Sequence, residues 1–134
     1  MTLVVDASAL AEFLLQTPLG RTVQRTLEKH SASLHIPHLA DTEVASVYRN
    51  LVRGDRLTPD RALVALQDLR DLPVRRWPAT PLFERVWQLR HDATSYDATY
   101  VALAEALDAE FLTTDARLAR GVSASARCEI TVVA

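Results

Sequence analysis

The chain opens with an apolar triplet, Leu3-Val4-Val5, that stops at Asp6. This predicts a short buried strand with a carboxylate at its exit. Ser8 can cap an apolar helix running to about Leu15, and Thr17-Pro18 supplies an N-cap and first helical residue for the next. That second helix sets Leu19, Val23, Leu27 and His30 at helical spacing. Leu34-His35-Ile36 predicts a second strand, closed by Pro37. Asp41 or Thr42 starts a third helix with Val44, Val47, Tyr48 and Leu51 at i, i+3, i+4 and i+7, and Gly54 stands where a C-terminal cap belongs.

The second half repeats this grammar. Thr58-Pro59 begins a helix with Leu63, Leu66 and Leu69 inward, and Val74-Arg75-Arg76-Trp77 predicts a third strand. Thr80-Pro81 begins another helix, with Leu82, Val86 and either Leu89 or Trp87 inward. Thr94-Ser95 leads into a helix from Asp97 to Leu107 whose small apolar residues suit close burial. Phe111-Leu112-Thr113 is a short strand, Asp115 caps a short helix that Gly121 ends, and Ile130-Thr131-Val132-Val133 is the last strand. Strands alternating with helices predict an α/β fold: a mostly parallel sheet of about five strands with helices on both faces. Right-handed crossovers align the strand C-terminal ends along one edge, where such sheets bind ligands.

At 134 residues the chain fits a single domain, 1–134. With 49% apolar and 24% charged residues it has the balance of a folded soluble protein. No apolar run approaches a membrane span, and the first residues lack a basic signal region, so a cytoplasmic location is expected. The lone Cys128 excludes an intramolecular disulfide and suits a small buried residue near the last strand. A net charge of −2 argues against a non-specific nucleic-acid coat. Lys29 is the only lysine among fifteen basic residues; the other fourteen are arginine.

Four acids from distant parts of the chain fall at the expected ligand edge: Asp6 after the first strand, Glu43 and Asp97 in first helical turns, and Asp115 after the Phe111 strand. Singly, Glu43, Asp97 and Asp115 are ordinary helix-start acids. Asp6 fits that role less well, because Ser8 is better placed to cap. Gathered together, two carboxylates about 4 Å apart repel by roughly 4 kcal/mol at an effective dielectric near 20. Such a cluster calls for a positive partner, and an all-oxygen ligand set suits Mg²⁺ or Mn²⁺. A bound divalent ion lowers the pKa of a water and offsets charge on a phosphoryl oxygen, the requirements of phosphodiester hydrolysis.

Val4-Val5-Asp6-Ala7-Ser8, Glu43-Val44-Ala45-Ser46-Val47, the Tyr96-Asp97-Ala98 to Ala104 stretch and Thr113-Thr114-Asp115 resemble, in order and spacing, the four motifs of PIN-domain ribonucleases. The similarity is greatest to VapC-type toxins of bacterial toxin–antitoxin pairs. It implies a three-layer α/β/α PIN fold and an Mg²⁺- or Mn²⁺-dependent endoribonuclease that acts through metal-activated water. It also implies a homodimer inhibited by a VapB-type antitoxin. Asp6, Glu43, Asp97 and Asp115 would be the catalytic, metal-binding acids, with Ser8 and Thr113 as hydroxyls that orient a carboxylate or water. The implied substrate is cellular RNA, for example a tRNA or rRNA loop.

The arginines are less specific. Arg49, Arg53 and Arg56 form a possible stripe beyond Glu43, and Arg117 and Arg120 follow Asp115, so Arg49, Arg117 and Arg120 are candidate RNA contacts. His35 and His38 have a metal-like spacing, but Pro37 breaks the helix that would align them, which favours strand-end packing. Trp77, Trp87, Tyr48 and Tyr100 read as core or interface residues. A phosphotransfer fold using Asp6 as acceptor would need a lysine at a strand end, and Lys29 lies in the second helix. The remaining alternative is a non-catalytic PIN-like binding module that engages a basic partner peptide. In either reading an antitoxin segment could cover apolar helix surface near Leu10, Phe13 and Leu14 and push a basic residue among the acids.

Overall fold

β1 spans Thr2–Val5, and Leu3, Val4 and Val5 are all buried, as a central strand covered on both faces requires. The computed structural model describes residues 1–30 and 33–134. After β1 come α1 (Ala7–Leu15), α2 (Pro18–His30), β2 (Ser33–Pro37), α3 (Leu39–Arg53), α4 (Pro59–Asp71) and β3 (Val74–Trp77). A 3₁₀ turn at Thr80–Leu82 leads into α5 (Phe83–Gln88), then α6 (Ser95–Ala106), β4 (Glu110–Thr113), α7 (Ala116–Val122) and β5 (Ile130–Val132). His30 shares the helical spacing of Leu19, Val23 and Leu27 on α2; its side chain lies outside the described residues.

All five strands are parallel, in the order β3-β2-β1-β4-β5. Val4 pairs with His35 on one side and Phe111 on the other. The chain therefore winds outward from β1 to β3, then restarts on the other side of β1 with β4. The reversal of strand order falls between β1 and β4, where an open α/β sheet leaves a crevice at its carboxyl edge. Helices cover both faces in a three-layer α/β/α arrangement. α6 packs on β1, β2 and β4, and its Tyr100 ring stacks on Phe111 at 5.9 Å. α1 is enclosed by α2, α3 and α4. Tyr48 Oη donates to the Ala11 carbonyl at 2.9 Å, and Arg61 Nη2 donates to the Leu14 carbonyl at 3.0 Å. A Cβ at Gly20 would sit 1.9 Å from the Glu12 carbonyl oxygen, so glycine sets the close approach of α2 to α1.

Several local expectations change. Asp6, not Ser8, caps α1: its carboxylate accepts from the Ala9 amide, while Ser8 turns back to donate to Asp6. α3 begins at Leu39, two residues before Asp41, so Glu43 stands beyond the first turn. Asp41 is instead held by Arg76 at 2.8 Å. The inward face of α4 is Ala62, Ala65 and Leu69, and Leu63 is 55% exposed. Small residues win there because α4 packs closely on α3 and α1. On α5 the inward choice is Leu89, fully buried just past the helix, and Trp87 is 67% exposed. Leu10 and Leu14 are buried beneath the neighbours of α1, leaving Phe13 only partly covered, so that helix offers no broad apolar face to a partner. Tyr48 and Tyr100 are core residues, and Cys128 is half-buried against the core, its thiol pushed up to about 11 by burial. The Trp77 indole N–H donates to His35 Nδ1 at 2.9 Å, which makes His35 a partner in strand packing.

Candidate active site

β1 and β4 end side by side, and the residues that follow them are tied together. Asp6 is 5% exposed. Its Oδ1 accepts from Ser8 Oγ at 2.6 Å and from the Ala9 amide at 3.0 Å, and its Oδ2 accepts from Thr113 Oγ1. Thr113 Oγ1 also accepts the Asp115 amide at 2.9 Å, while Thr114 Oγ1 donates to Ser8 Oγ at 2.7 Å. The two hydroxyls singled out from sequence, Ser8 and Thr113, thus both bind Asp6, and a third at Thr114 fixes the first. Sequence reasoning missed Thr114. Its only signal was its place between Thr113 and Asp115.

The other acids come from three helices. Asp115 is the N-cap of α7, with Oδ1 accepting from the Arg117 and Leu118 amides. Asp97 is the third residue of α6, where Thr94 is the cap and accepts the Asp97 amide at 3.1 Å. Glu43 projects from α3, and Tyr100 Oη donates to its Oε1 at 2.6 Å. Tyr100 is therefore a buried ring with a polar tip at the site, a role that its place one turn after Asp97 could have signalled. All four acids line one cavity of about 540 Å³ at the carboxyl edge of the sheet. Among the described residues no lysine, arginine or histidine lines it. A second cavity, about 500 Å³, opens elsewhere beside Met1, Asp108 and Glu129 and contains none of the four acids.

Proximity and burial leave a clear electrostatic mark. Burial raises the Asp6 pKa, Asp115 raises it further, and the Ser8, Thr113 and Ala9 hydrogen bonds oppose the shift. Burial also raises Glu43, with Asp97 and Asp6 adding to it and Tyr100 opposing. Asp97 is raised by burial and by Asp115, with Thr94 opposing. Burial and like charge thus disfavour the ionised forms, and among the described residues no cationic side chain lines the cavity to offset them, which suits a hard divalent cation with oxygen ligands. Among the described residues no three acid, histidine or cysteine side chains are grouped closely enough to enclose an ion. Mutual repulsion of like charges favours such a spread arrangement. The donor chemistry fits Mg²⁺ or Mn²⁺. The candidate RNA-contacting arginines, Arg49 on α3 and Arg117 and Arg120 on α7, are exposed and stand outside the cavity lining.

A model of the PIN domain matches residues 3–122. The chain belongs to the PIN-domain family. Within it the chain is of the VapC type: it is 44% identical to ribonuclease VapC9 of Mycobacterium tuberculosis over 131 residues, 98% of each chain. Among solved structures, PAE2754 from Pyrobaculum aerophilum has a TM-score of 0.72 at 24% identity, covering 97% of this chain and 83% of that one. VapBC2 from Rickettsia felis, bound to a DNA fragment from their promoter, has a TM-score of 0.70 at 9% identity and 98% coverage of both chains. These two share the PIN fold. Among the described residues no helix is long and apolar enough to cross a membrane.

Proposed function

We propose that this PIN protein is an Mg²⁺- or Mn²⁺-dependent endoribonuclease toxin of the bacterial cytoplasm, restrained by a VapB-type antitoxin. One observation carries the reading: acids from four separate elements line a single cavity at the sheet's switch point, and among the described residues no cationic side chain lines it. The ribonuclease name of the 44% identical relative supports the activity, and the name VapBC2 of the Rickettsia felis structure supports a VapB-type partner.

Asp6 and Asp97 would hold the ion directly, and Glu43 and Asp115 directly or through water. The ion, when bound, would supply a water of lowered pKa and offset charge on the phosphoryl oxygen. The protein's own part is positioning. Ser8 and Thr113 fix the Asp6 carboxylate, Thr114 fixes Ser8, and Tyr100 fixes the Glu43 carboxylate. Arg117, Arg120 and Arg49, lying outside the cavity, would contact RNA phosphates remote from the cut. Phe83 and Trp87, exposed one turn apart on α5, would supply apolar area for a homodimer.

A second reading, a non-catalytic module that engages a basic partner peptide, draws on the same negative cavity and on the spread arrangement of its carboxylates. It predicts partner binding without RNA cleavage, where the first predicts both. Sequencing RNA ends after brief expression of wild type and Asp97→Asn separates them. New ends confined to wild type support the nuclease; identical end profiles leave only the binding module.

A further inference from the structure

The acids account for only part of the cavity lining. Beside them it includes uncharged side chains, Ser46, Val47 and Asn50 of α3 and Tyr96 of α6. Glu43, Ser46, Val47 and Asn50 stand at i, i+3, i+4 and i+7 of α3, a single helical face, so the neutral wall continues directly from a site carboxylate. Tyr96 immediately precedes Asp97 and is 65% exposed. Its ring stacks on no other among the described residues. Ser46 and Asn50 are exposed, and their side chains make no hydrogen bond among the described residues.

A cavity of about 540 Å³ has room for part of a substrate beside an ion and its nearest waters, since a water occupies only about 30 Å³. The remaining space suits a part of the substrate without charge, because phosphates approaching the neutral wall would meet no cation there. In RNA the uncharged parts are ribose and base, and an exposed aromatic ring in the lining favours the flat base. We infer that Tyr96 and the Ser46–Val47–Asn50 wall form a nucleobase seat, which takes the unstacked base beside the scissile phosphate of a single-stranded segment. The Tyr96 ring stacks on the base face and Val47 supplies an apolar contact. The Asn50 carboxamide, a donor and an acceptor side by side, reads the base edge with Ser46. The inference rests on the ribonuclease reading above and names the residues that would give it sequence preference.

The test uses single-stranded RNA oligonucleotides with a short randomised region, incubated with the full chain and Mn²⁺ and sequenced at their new ends. Tyr96→Ala should raise KM roughly 5- to 150-fold, the range for loss of one stacked base. Tyr96→Phe should stay near wild type, because stacking requires only the ring. Asn50→Leu should flatten the base preference at one position beside the cut and leave other positions as they were, which a merely structural defect would not do. An unchanged KM in Tyr96→Ala together with an unchanged base profile in Asn50→Leu overturns the seat. If wild type cuts nothing, retention of the same oligonucleotides on immobilised protein decides. Base-biased retention that Tyr96→Ala loses supports the seat while the nuclease reading fails. Equal retention by both, or none by either, overturns it.

Discussion

Tyr100, buried in the core, donates its phenolic hydrogen to Glu43 Oε1 at 2.6 Å and so joins α6 to α3 across the acidic cavity. The bond favours ionised Glu43, while burial and this negative neighbour push the phenol far above its ordinary range. Tyr100→Phe removes the donor and keeps the ring on Phe111. The Glu43 pKa should rise, so the acid limb of the pH–rate profile moves to higher pH. Activity below neutrality should fall by about 10-fold if Glu43 serves the ion as proposed. The profile itself is the check, and an unmoved acid limb would show that Glu43 needs no such support.

Thr113 has a tighter structural role. Its buried hydroxyl donates to Asp6 and accepts from the Asp115 amide, so Thr113→Val strips a partner from two polar groups at once. A loss of about 1–3 kcal/mol is expected in urea unfolding, with Thr113→Ser restoring most of it.

The raised carboxyls make folding depend on pH with a definite sign. Asp6, Glu43 and Asp97 have higher pKa values folded than unfolded, where carboxyls titrate near about 4. Between those values the folded chain binds more protons. Its stability is therefore greatest below the unfolded pKa and is lost as pH rises through the folded ones. Asp97→Asn should thus melt above wild type at neutral pH in EDTA, and the gap should close toward pH ~4. The same variant should lose more than about 100-fold of activity if, as proposed, Asp97 is a ligand of the ion and not merely a support. Thermal melts across pH check the first part; a gap that widens in acid contradicts it.

Gly20 tests the packing of the first two helices. An alanine Cβ there would meet the Glu12 carbonyl at 1.9 Å, a contact with backbone that cannot swing away. Gly20→Ala should cost about 1–3 kcal/mol or more, seen as a lower urea midpoint at unchanged slope.

Much of the arrangement was legible because it depends on order along the chain. Short β-rich runs alternating with capped helices imply a parallel sheet, and a parallel sheet sends Asp6 and Asp115 to one edge. What escaped depended on distances between elements. Asp6 and Ser8 are both good caps, and only the neighbouring Thr113 and Thr114 decide that Asp6 caps while Ser8 supports it. Leu63 is larger than Ala62 and Ala65, so periodicity favoured it; close helix packing chose the small residues. Leu10 and Leu14 were equally apolar as core or as surface, and the enclosure of α1 by three helices made them core. The tip of Tyr100 was hidden for the opposite reason: an aromatic ring at helical spacing reads as packing, although its hydroxyl reaches Glu43.

These carboxylates are proposed to take up a divalent ion and cleave RNA with it. The most direct measurement incubates total bacterial RNA with purified wild type or Asp97→Asn, in Mn²⁺ or in EDTA, and maps every new 5′ end. Discrete new ends that require both Mn²⁺ and the intact Asp97 carboxylate are the expected result. Intact RNA with wild type and Mn²⁺, or the same ends from Asp97→Asn, would contradict it.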